Sequence, residues 1–323
     1  MTDVIRVGSR GSRLALVQAE WVRERVARRH PGLRVEIEVL TTRGDKLLDA
    51  PLAKLGDKGL FTKELEVALL DGRIDLAVHS AKDMPTAVPD GLAIVAVTER
   101  EDARDVFVAD PALLERHGAD GFSLDDVPRG AKVGSSSLRR RAQLLALRPD
   151  LDLVDIRGNV ETRLRKVVEQ GLAGTVLAAA GLARLGRPET ATFVFGPGEM
   201  LPAVGQGALA VEARADHPRV RELAAALDHP PTALAVAAER ALLARLEGGC
   251  QVPIAAHAVR EAGGGRGPAA LTLAAWVGSL DGGRSVRGER TGPADDPEGL
   301  GVLLAEELLA GGAGEILAAI RTP

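Results

Sequence analysis

Lys132-Val133-Gly134-Ser135-Ser136-Ser137-Leu138-Arg139-Arg140-Arg141 is the stretch whose reading decides the fold. A short strand runs into three hydroxyls, and a helix opens at Leu138 with arginines in its first turn. Hydroxyls and free backbone N–H groups at a helix start make an anion site. Forked guanidinium donors one turn further on match carboxylates or phosphates. The device returns one unit later. A strand over 151–156 leads into Arg157-Gly158-Asn159-Val160-Glu161-Thr162-Arg163, a helix over 160–170 follows, and a strand over 175–179 closes the run. Helices between strands imply parallel crossovers, and open α/β sheets hold ligands at the carboxyl ends of their strands. Residues 131–166 carry nine Lys/Arg against four Asp/Glu, an excess of +5 in a chain of net charge −4. One such run reads as a solvated face; two junctions of the same chemistry point to an anion-binding cleft.

Upstream, the same alternation fills the first hundred residues. A strand is expected over 4–8, and Ser12 caps a helix to about His30 with Leu14, Val17 and Trp21 on one face. Val35, Ile37 and Val39 alternate as a half-buried strand. A helix over 61–70 stops at Asp71-Gly72, and a buried strand follows over 74–80. Glu99-Arg100-Glu101-Asp102 is a charged break and a candidate hinge. Leu201-Pro202-Ala203-Val204-Gly205-Gln206-Gly207 reads as the return crossing, and the polar 110–130 stretch as a surface excursion. Beyond about 228 the pattern changes to a long Ala/Leu-rich helix over 232–246, strands over 254–259, 271–277 and 285–291, and two closing helices. Domain 1 is expected over 1–99 plus about 206–227, domain 2 over 103–202, and domain 3 over 228–323.

Composition excludes some functions. The acidic balance argues against general nucleic-acid or membrane-surface binding, and 2% aromatics with no tyrosine leaves little for base stacking. No apolar run reaches the ~18 residues of a membrane span. The N-terminus lacks a signal peptide's basic stretch and apolar core. A soluble, cytoplasmic chain is expected.

Two further segments carry chemistry. His79-Ser80-Ala81-Lys82-Asp83-Met84-Pro85 follows a buried strand and sets an acid beside a cation; a solvated turn before proline is the bland alternative. His79 reads as structural, because no second His stands at a metal-ligand spacing, and no metal is expected. The single cysteine, Cys250, sits in Glu247-Gly248-Gly249-Cys250-Gln251-Val252-Pro253. It cannot close an internal disulfide, and its glycine–proline frame suits a displayed thiol as well as a buried structural one. A third segment, Thr42-Arg43-Gly44-Asp45-Lys46 with 52–61, reads as a cationic loop. It lacks the Gly-Lys-Ser/Thr of a phosphate-cradling loop, and Gly263-Gly264-Gly265-Arg266-Gly267 lacks the strand and helix of a dinucleotide fingerprint.

In this order, these segments resemble the porphobilinogen deaminase (hydroxymethylbilane synthase) family over almost the full chain. The strongest parts are 58–85, Ser137-Leu138-Arg139-Arg140, Arg157-Gly158-Asn159-Val160, 201–207 and 247–253. The resemblance implies an α/β fold of two periplasmic-binding-protein-like lobes with doubly wound mixed sheets, a hinge, and a small α+β C-terminal domain. It implies a transferase of tetrapyrrole biosynthesis, monomeric, acting on porphobilinogen with a dipyrromethane cofactor covalently attached at Cys250 through a thioether. Asp83 matches the catalytic aspartate. Lys82, Ser80, Ser135, Ser137, Arg139, Arg140, Arg157, Arg163 and Gln206 match cofactor contacts. Arg10, Ser12, Arg157, Arg163, Arg184, Lys54, Lys58 and Phe61 match substrate contacts, the last three in or beside a covering loop. Three positions depart from the commoner pattern: Arg13 stands for proline, Ser135 for threonine, and Asp57 for a small lid residue.

The implied chemistry agrees with the residues. Each porphobilinogen brings two carboxylates, so a growing chain is a polyanion that needs arginines. Loss of ammonia leaves an electrophilic, positively charged pyrrole that a carboxylate at Asp83 can stabilise. Such positioned acid–base help is worth ~10²–10⁴ in rate. Four rounds of condensation on the cofactor, then hydrolysis, would release a linear tetrapyrrole. Two rival readings fit parts of the chain: a two-lobed anion-binding protein without catalysis, which needs neither Cys250 nor Asp83, and a phosphate-handling enzyme using the Ser/Arg junctions.

Overall fold

The structure is a computed structural model that describes residues 4–42, 44, 59–118, 121–249, 252–261 and 269–321. Cys250, Lys54, Lys58 and Asp57 lie outside the described residues.

The first lobe is built on β1 (Val4–Arg10), α1 (Arg13–Arg29), β2 (Arg34–Leu40), α2 (Lys63–Leu70), β3 (Leu76–Ser80) and β4 (Leu92–Val97). The chain then crosses to the second lobe: β5 (Asp105–Ala109), α3 (Pro111–His117), β6 (Lys132–Gly134), α4 (Leu138–Leu147), β7 (Asp152–Val154), α5 (Val160–Glu169), β8 (Gly174–Ala178), α6 (Ala179–Arg184) and β9 (Phe193–Val194). It returns through β10 (Leu209–Arg214) and α7 (Pro218–Ala225). The third domain follows: α8 (Pro230–Arg245), β11 (Ile254–Glu261), β12 (Ala270–Gly278), β13 (Ser285–Pro293), α9 (Pro297–Leu308) and α10 (Gly314–Arg321).

The two lobes share one wiring. Sheet one runs β2-β1-β3-β10-β4 and sheet two β7-β6-β8-β5-β9. In each, three strands are parallel and the fourth position is filled by a strand that has just crossed from the other lobe, antiparallel to its neighbours. Each lobe therefore borrows its direction-reversing strand through the hinge. The third domain is an antiparallel sheet, β11-β12-β13, backed by α8, α9 and α10 around Leu242, Leu271, Leu273, Val277 and Leu304.

Local signals explain the helices that aim the site. Ser12 Oγ accepts the Ala15 N–H at 3.3 Å and caps α1, whose last turn carries Arg28 and Arg29 where the helix dipole favours cations. Its fully buried stripe is Gln18, Ala19, Val22 and Val26. Leu14, Val17 and Trp21 are only half-buried, which differs from the face expected from periodicity. Leu14 points to the cleft and comes near Gly181 of the second lobe, so its contacts lie across the cleft and not in the core of its own lobe. Asn159 Oδ1 accepts the Thr162 N–H at 2.8 Å and starts α5. The 110–130 stretch is more than an excursion: Asp110 caps α3 with Pro111 at its start, and Leu113, Phe122 and Val127 enter the second lobe's core.

The two crossings run side by side. Glu101 N–H donates to Gly207 O at 3.1 Å, and Gln206 Nε2 donates to Ala103 O at 2.6 Å. Gly207 has φ +91°, and a Cβ there would run into the Glu101 carbonyl oxygen, so only glycine allows this approach. One carboxylate of the third domain holds both crossings. Glu239, on α8 and fully buried, accepts from Arg100 Nη1 at 2.7 Å and Nη2 at 3.0 Å, from Gly205 N–H at 2.6 Å, and from Ala258 N–H of β11 at 2.8 Å. Truncating one partner of a buried ion pair strands the other. Glu239→Ala is thus expected to lower unfolding free energy by about 3–5 kcal/mol, read as an earlier urea midpoint. An unchanged midpoint would remove Glu239 as the hinge's fastener.

Candidate active site

The site lies where the carboxyl ends of both sheets face each other. From the first lobe come Arg10 at the end of β1, Ser12 at the start of α1, Ser80 at the end of β3, and Lys82 and Asp83 in the 3-10 turn Ala81–Asp83 that follows. Asp83 shares a cavity of about 60 Å³ with Arg10, Ser12, Gln18, Phe61 and Ser80. The Arg10 guanidinium lies 4.2 Å from the centre of the Phe61 ring, a cation–π contact. Gln18 Nε2 donates to Ser80 Oγ at 3.1 Å, which ties α1 to the strand that delivers Asp83.

From the second lobe come Ser135 and Ser137 after β6, Arg139 and Arg140 in the first turn of α4, Arg157 after β7, and Arg163 on α5. Burial first, then Arg140 and Arg157, push the Arg163 guanidinium down to about 10, and the charge of Asp83 from the first lobe opposes that shift. Arg163 Nε donates to Gly158 O at 2.9 Å. Arg157 Nη1 is buried with no hydrogen-bond partner among the described residues. Ser135 Oγ accepts the Ser137 N–H at 3.4 Å.

Arg139 and Arg140 turn inward instead of standing open in the cleft. Arg139 Nη1 donates to Asp105 Oδ2 at 2.6 Å and to Leu201 O at 2.5 Å. Arg140 donates to Asp105 Oδ1 from Nε at 3.0 Å and Nη2 at 2.7 Å, and to Val176 O from Nη1 at 3.0 Å. Burial alone would push the Asp105 carboxyl up, but the two guanidiniums outweigh it and hold it well below the usual range. Gln206 Nε2 also donates to Asp105, at 3.0 Å, while its Oε1 accepts from Lys82 Nζ at 3.4 Å. Arg184 stands apart from this group: its Nη2 donates to Gly207 O at 2.6 Å on the return crossing. Asp105 and Gln18 are the residues that sequence reasoning missed. Asp105 opens an apolar strand, Asp105-Val106-Phe107-Val108, and a charge in that place was the available signal.

The arrangement is a cleft in which the Asp83 carboxylate stands with cations from both lobes, while the Asp105 carboxylate is already taken up by Arg139 and Arg140. It can hold several carboxylates and assist one proton transfer or one developing positive charge.

Lys82 reports the excess of cations. Burial first, and then Arg140, push its ammonium down to about 8 from 10.5. Between those values the unfolded chain holds a proton that the folded chain lacks, so this residue's penalty on folding shrinks as pH rises through that window. The cation itself is lost there. Anion affinity of the unliganded chain should therefore fall above pH 8, and Lys82→Arg, charged throughout, should flatten the fall. A Lys82 Nζ midpoint near 10.5 in a nitrogen-15 NMR titration would contradict this.

The chain is similar to known proteins over nearly its whole length. Residues 5–222 match the family model "Porphobilinogen deaminase, dipyromethane cofactor binding domain", and residues 233–310 match "Porphobilinogen deaminase, C-terminal domain". The chain is 52% identical over 316 residues to the porphobilinogen deaminase of Geobacter sulfurreducens, covering 98% of this chain and 94% of that protein. It is 54% identical over 317 residues to that of Moorella thermoacetica, covering 98% and 96%. Among solved structures, the methionine binding protein MetQ is similar at a TM-score of 0.44 and 16% identity, over 70% of this chain and 91% of that one. So slight a likeness carries no weight; the two-lobed description rests on strand order.

Proposed function

Because this chain belongs to the porphobilinogen deaminase family of transferases, we propose that it condenses four porphobilinogen molecules head to tail. Four ammonia molecules leave, and one water then releases the linear tetrapyrrole hydroxymethylbilane. The observation that carries this reading is the cavity that Asp83 shares with Arg10, Ser12 and Ser80, together with Arg157 Nη1, buried with no hydrogen-bond partner among the described residues.

The family model that matches most of the chain is a dipyrromethane cofactor-binding domain, and the residues present fit such a group. A dipyrromethane carries carboxylates, and this cleft holds cations with no carboxylate partner among the described residues: Arg157 at Nη1, and Lys82 with its depressed pKa. Cys250 would hold the group through its sulfur, and Lys82, Ser80, Ser135, Ser137, Arg139, Arg140, Arg157, Arg163 and Gln206 would bind or frame its carboxylates. When bound, it supplies the pyrrole α-carbon on which the chain is extended.

The chain's own residues do the rest. Arg10, Ser12, Arg157 and Arg163 bind the substrate's acetate and propionate, as do Lys54 and Lys58. Arg184 acts at one remove, holding the return crossing that carries Gln206. Asp83 holds a proton for the departing amine and faces the positive charge that grows on the pyrrole nitrogen. A carboxylate fixed in a cleft of low dielectric stabilises that charge more than water does. The same reading carries with it a monomer in the cytoplasm. Among the described residues no helix is long and apolar enough to cross a membrane.

Intact-protein mass spectrometry tests the anchor. The purified chain should carry the added mass of a dipyrromethane, and Cys250→Ser should fold without it; the same added mass on the variant would refute the anchor. Asp83→Asn should keep the added mass and lose about 10²–10⁴ in turnover. Near-normal rates in that variant would take Asp83 out of the chemistry.

A further inference from the structure

We propose that Arg13 is an additional substrate-binding residue: its guanidinium, held on Glu161 at the mouth of the cleft, passes to a carboxylate of the incoming substrate. The inference rests on the porphobilinogen reading above and goes beyond it in naming a subsite and its built-in competitor.

Arg13 is the first residue of α1, in the first lobe, and Glu161 is the second residue of α5, in the other. Arg13 Nη1 lies 3.3 Å from Glu161 Oε1, so the pair spans the cleft. Ser12 and Leu14, on either side of Arg13, both line the cavity that contains Asp83. Glu161 lies between Arg157 and Arg163, the two arginines of the opposite wall.

The pair is built to come apart. The Arg13 side chain is 65% exposed and that of Glu161 29%. An exposed ion pair of this kind contributes little net stability, and salt screens it over about 8–10 Å. The contrast with Arg100 and Glu239 is sharp: there the carboxylate is fully buried and accepts four hydrogen bonds. Separating Arg13 from Glu161 strands no buried charge. Glu161 returns to solvent, and Arg13 exchanges one carboxylate for another, so the exchange is close to neutral until the ligand adds contacts of its own.

The ligand class follows from the charges on offer. Arg10 lines the Asp83 cavity, and Arg13, three residues further on, presents a mostly exposed guanidinium at the Glu161 contact between the lobes. A small molecule with two carboxylates on separate arms can reach both, whereas a monocarboxylate can reach one. Arg13 thereby favours dicarboxylates and draws them in from solvent. Glu161 competes for the same guanidinium, which sets an internal limit on affinity.

Steady-state kinetics with porphobilinogen on the cofactor-loaded chain tests this. Arg13→Gln is expected to raise KM about three- to tenfold, the worth of one charged hydrogen-bonded contact, and to flatten the fall of kcat/KM with ionic strength. Glu161→Gln is expected to do the reverse and lower KM, because it frees Arg13. The double variant Arg13→Glu/Glu161→Arg restores an ion pair but moves the cation to the other wall, and it should not restore KM. If the pair is only a latch between lobes, both single variants shift KM the same way and the double variant recovers the original value. That result overturns the proposal, as does an unchanged KM in both single variants. The underlying reading fails on a different result, an unsubstituted chain that releases no ammonia from porphobilinogen.

Discussion

Asp105 is the constraint on which the cleft depends. It is fully buried, and a lone carboxylate there would be prohibitive. Its place is secured by Arg139, Arg140 and Gln206, which donate four hydrogen bonds to it between them from 2.6 to 3.0 Å. Those donors come from different parts of the chain: the first turn of α4 and the return crossing. Through Gln206 the network reaches Lys82, one residue from Asp83. A single carboxylate at the start of β5 therefore sets the attitude of the arginine-bearing helix, the crossing, and the turn that carries the acid. It also sets the charge. Two guanidiniums share one anion, Lys82 adds a further cation, and the surplus is what an anionic ligand would meet.

Glu239 plays the corresponding part behind the hinge. It binds Arg100 of the first crossing, Gly205 of the second, and Ala258 of the third domain's sheet. Both crossings are thus fastened to the third domain. At the mouth itself the lobes are joined by the exposed Arg13–Glu161 pair. Buried, fully hydrogen-bonded charges resist separation, and exposed ones exchange partners with water and salt. The energetic difference makes the hinge the stiff edge of the molecule and the mouth its compliant one.

Much of the fold was legible, for identifiable reasons. α1 could be read from cap to end because Ser12, the periodicity and His30 are local signals. β6, β7 and β8 were legible because each is a short apolar run that leads into a helix, the one after β7 capped by Asn159. β5 and β10 were not. Val106-Phe107-Val108 is apolar on both faces and says nothing about direction, and its partners, Val176 and Phe193, lie far along the chain. α3 carries a good start signal in Asp110-Pro111, but the glycines and prolines that follow hid it. The buried face of α1 was misjudged because periodicity weighs apolar residues alone, and the stripe includes Gln18, an amide buried for its bond to Ser80.

The site divides along the same line. Lys82 and Asp83 could be picked out because the end of a buried strand is a place where polar residues face a cleft. The arginines after β6 and β7 could be picked out as a charge excess at helix starts. What sequence could not give was where each guanidinium points. Arg139 and Arg140 share a first turn with the open end of α4, yet both turn to a carboxylate more than thirty residues away in sequence. Arg157 keeps a buried nitrogen without a partner among the described residues. The distinction between a cation already neutralised and one still waiting belongs to tertiary contact, because it depends on whether an acid from another segment reaches it first. In this chain Asp105 reaches two of them, and that leaves Arg157, Arg163 and Lys82 as the cations with most to gain from an anion in the cleft.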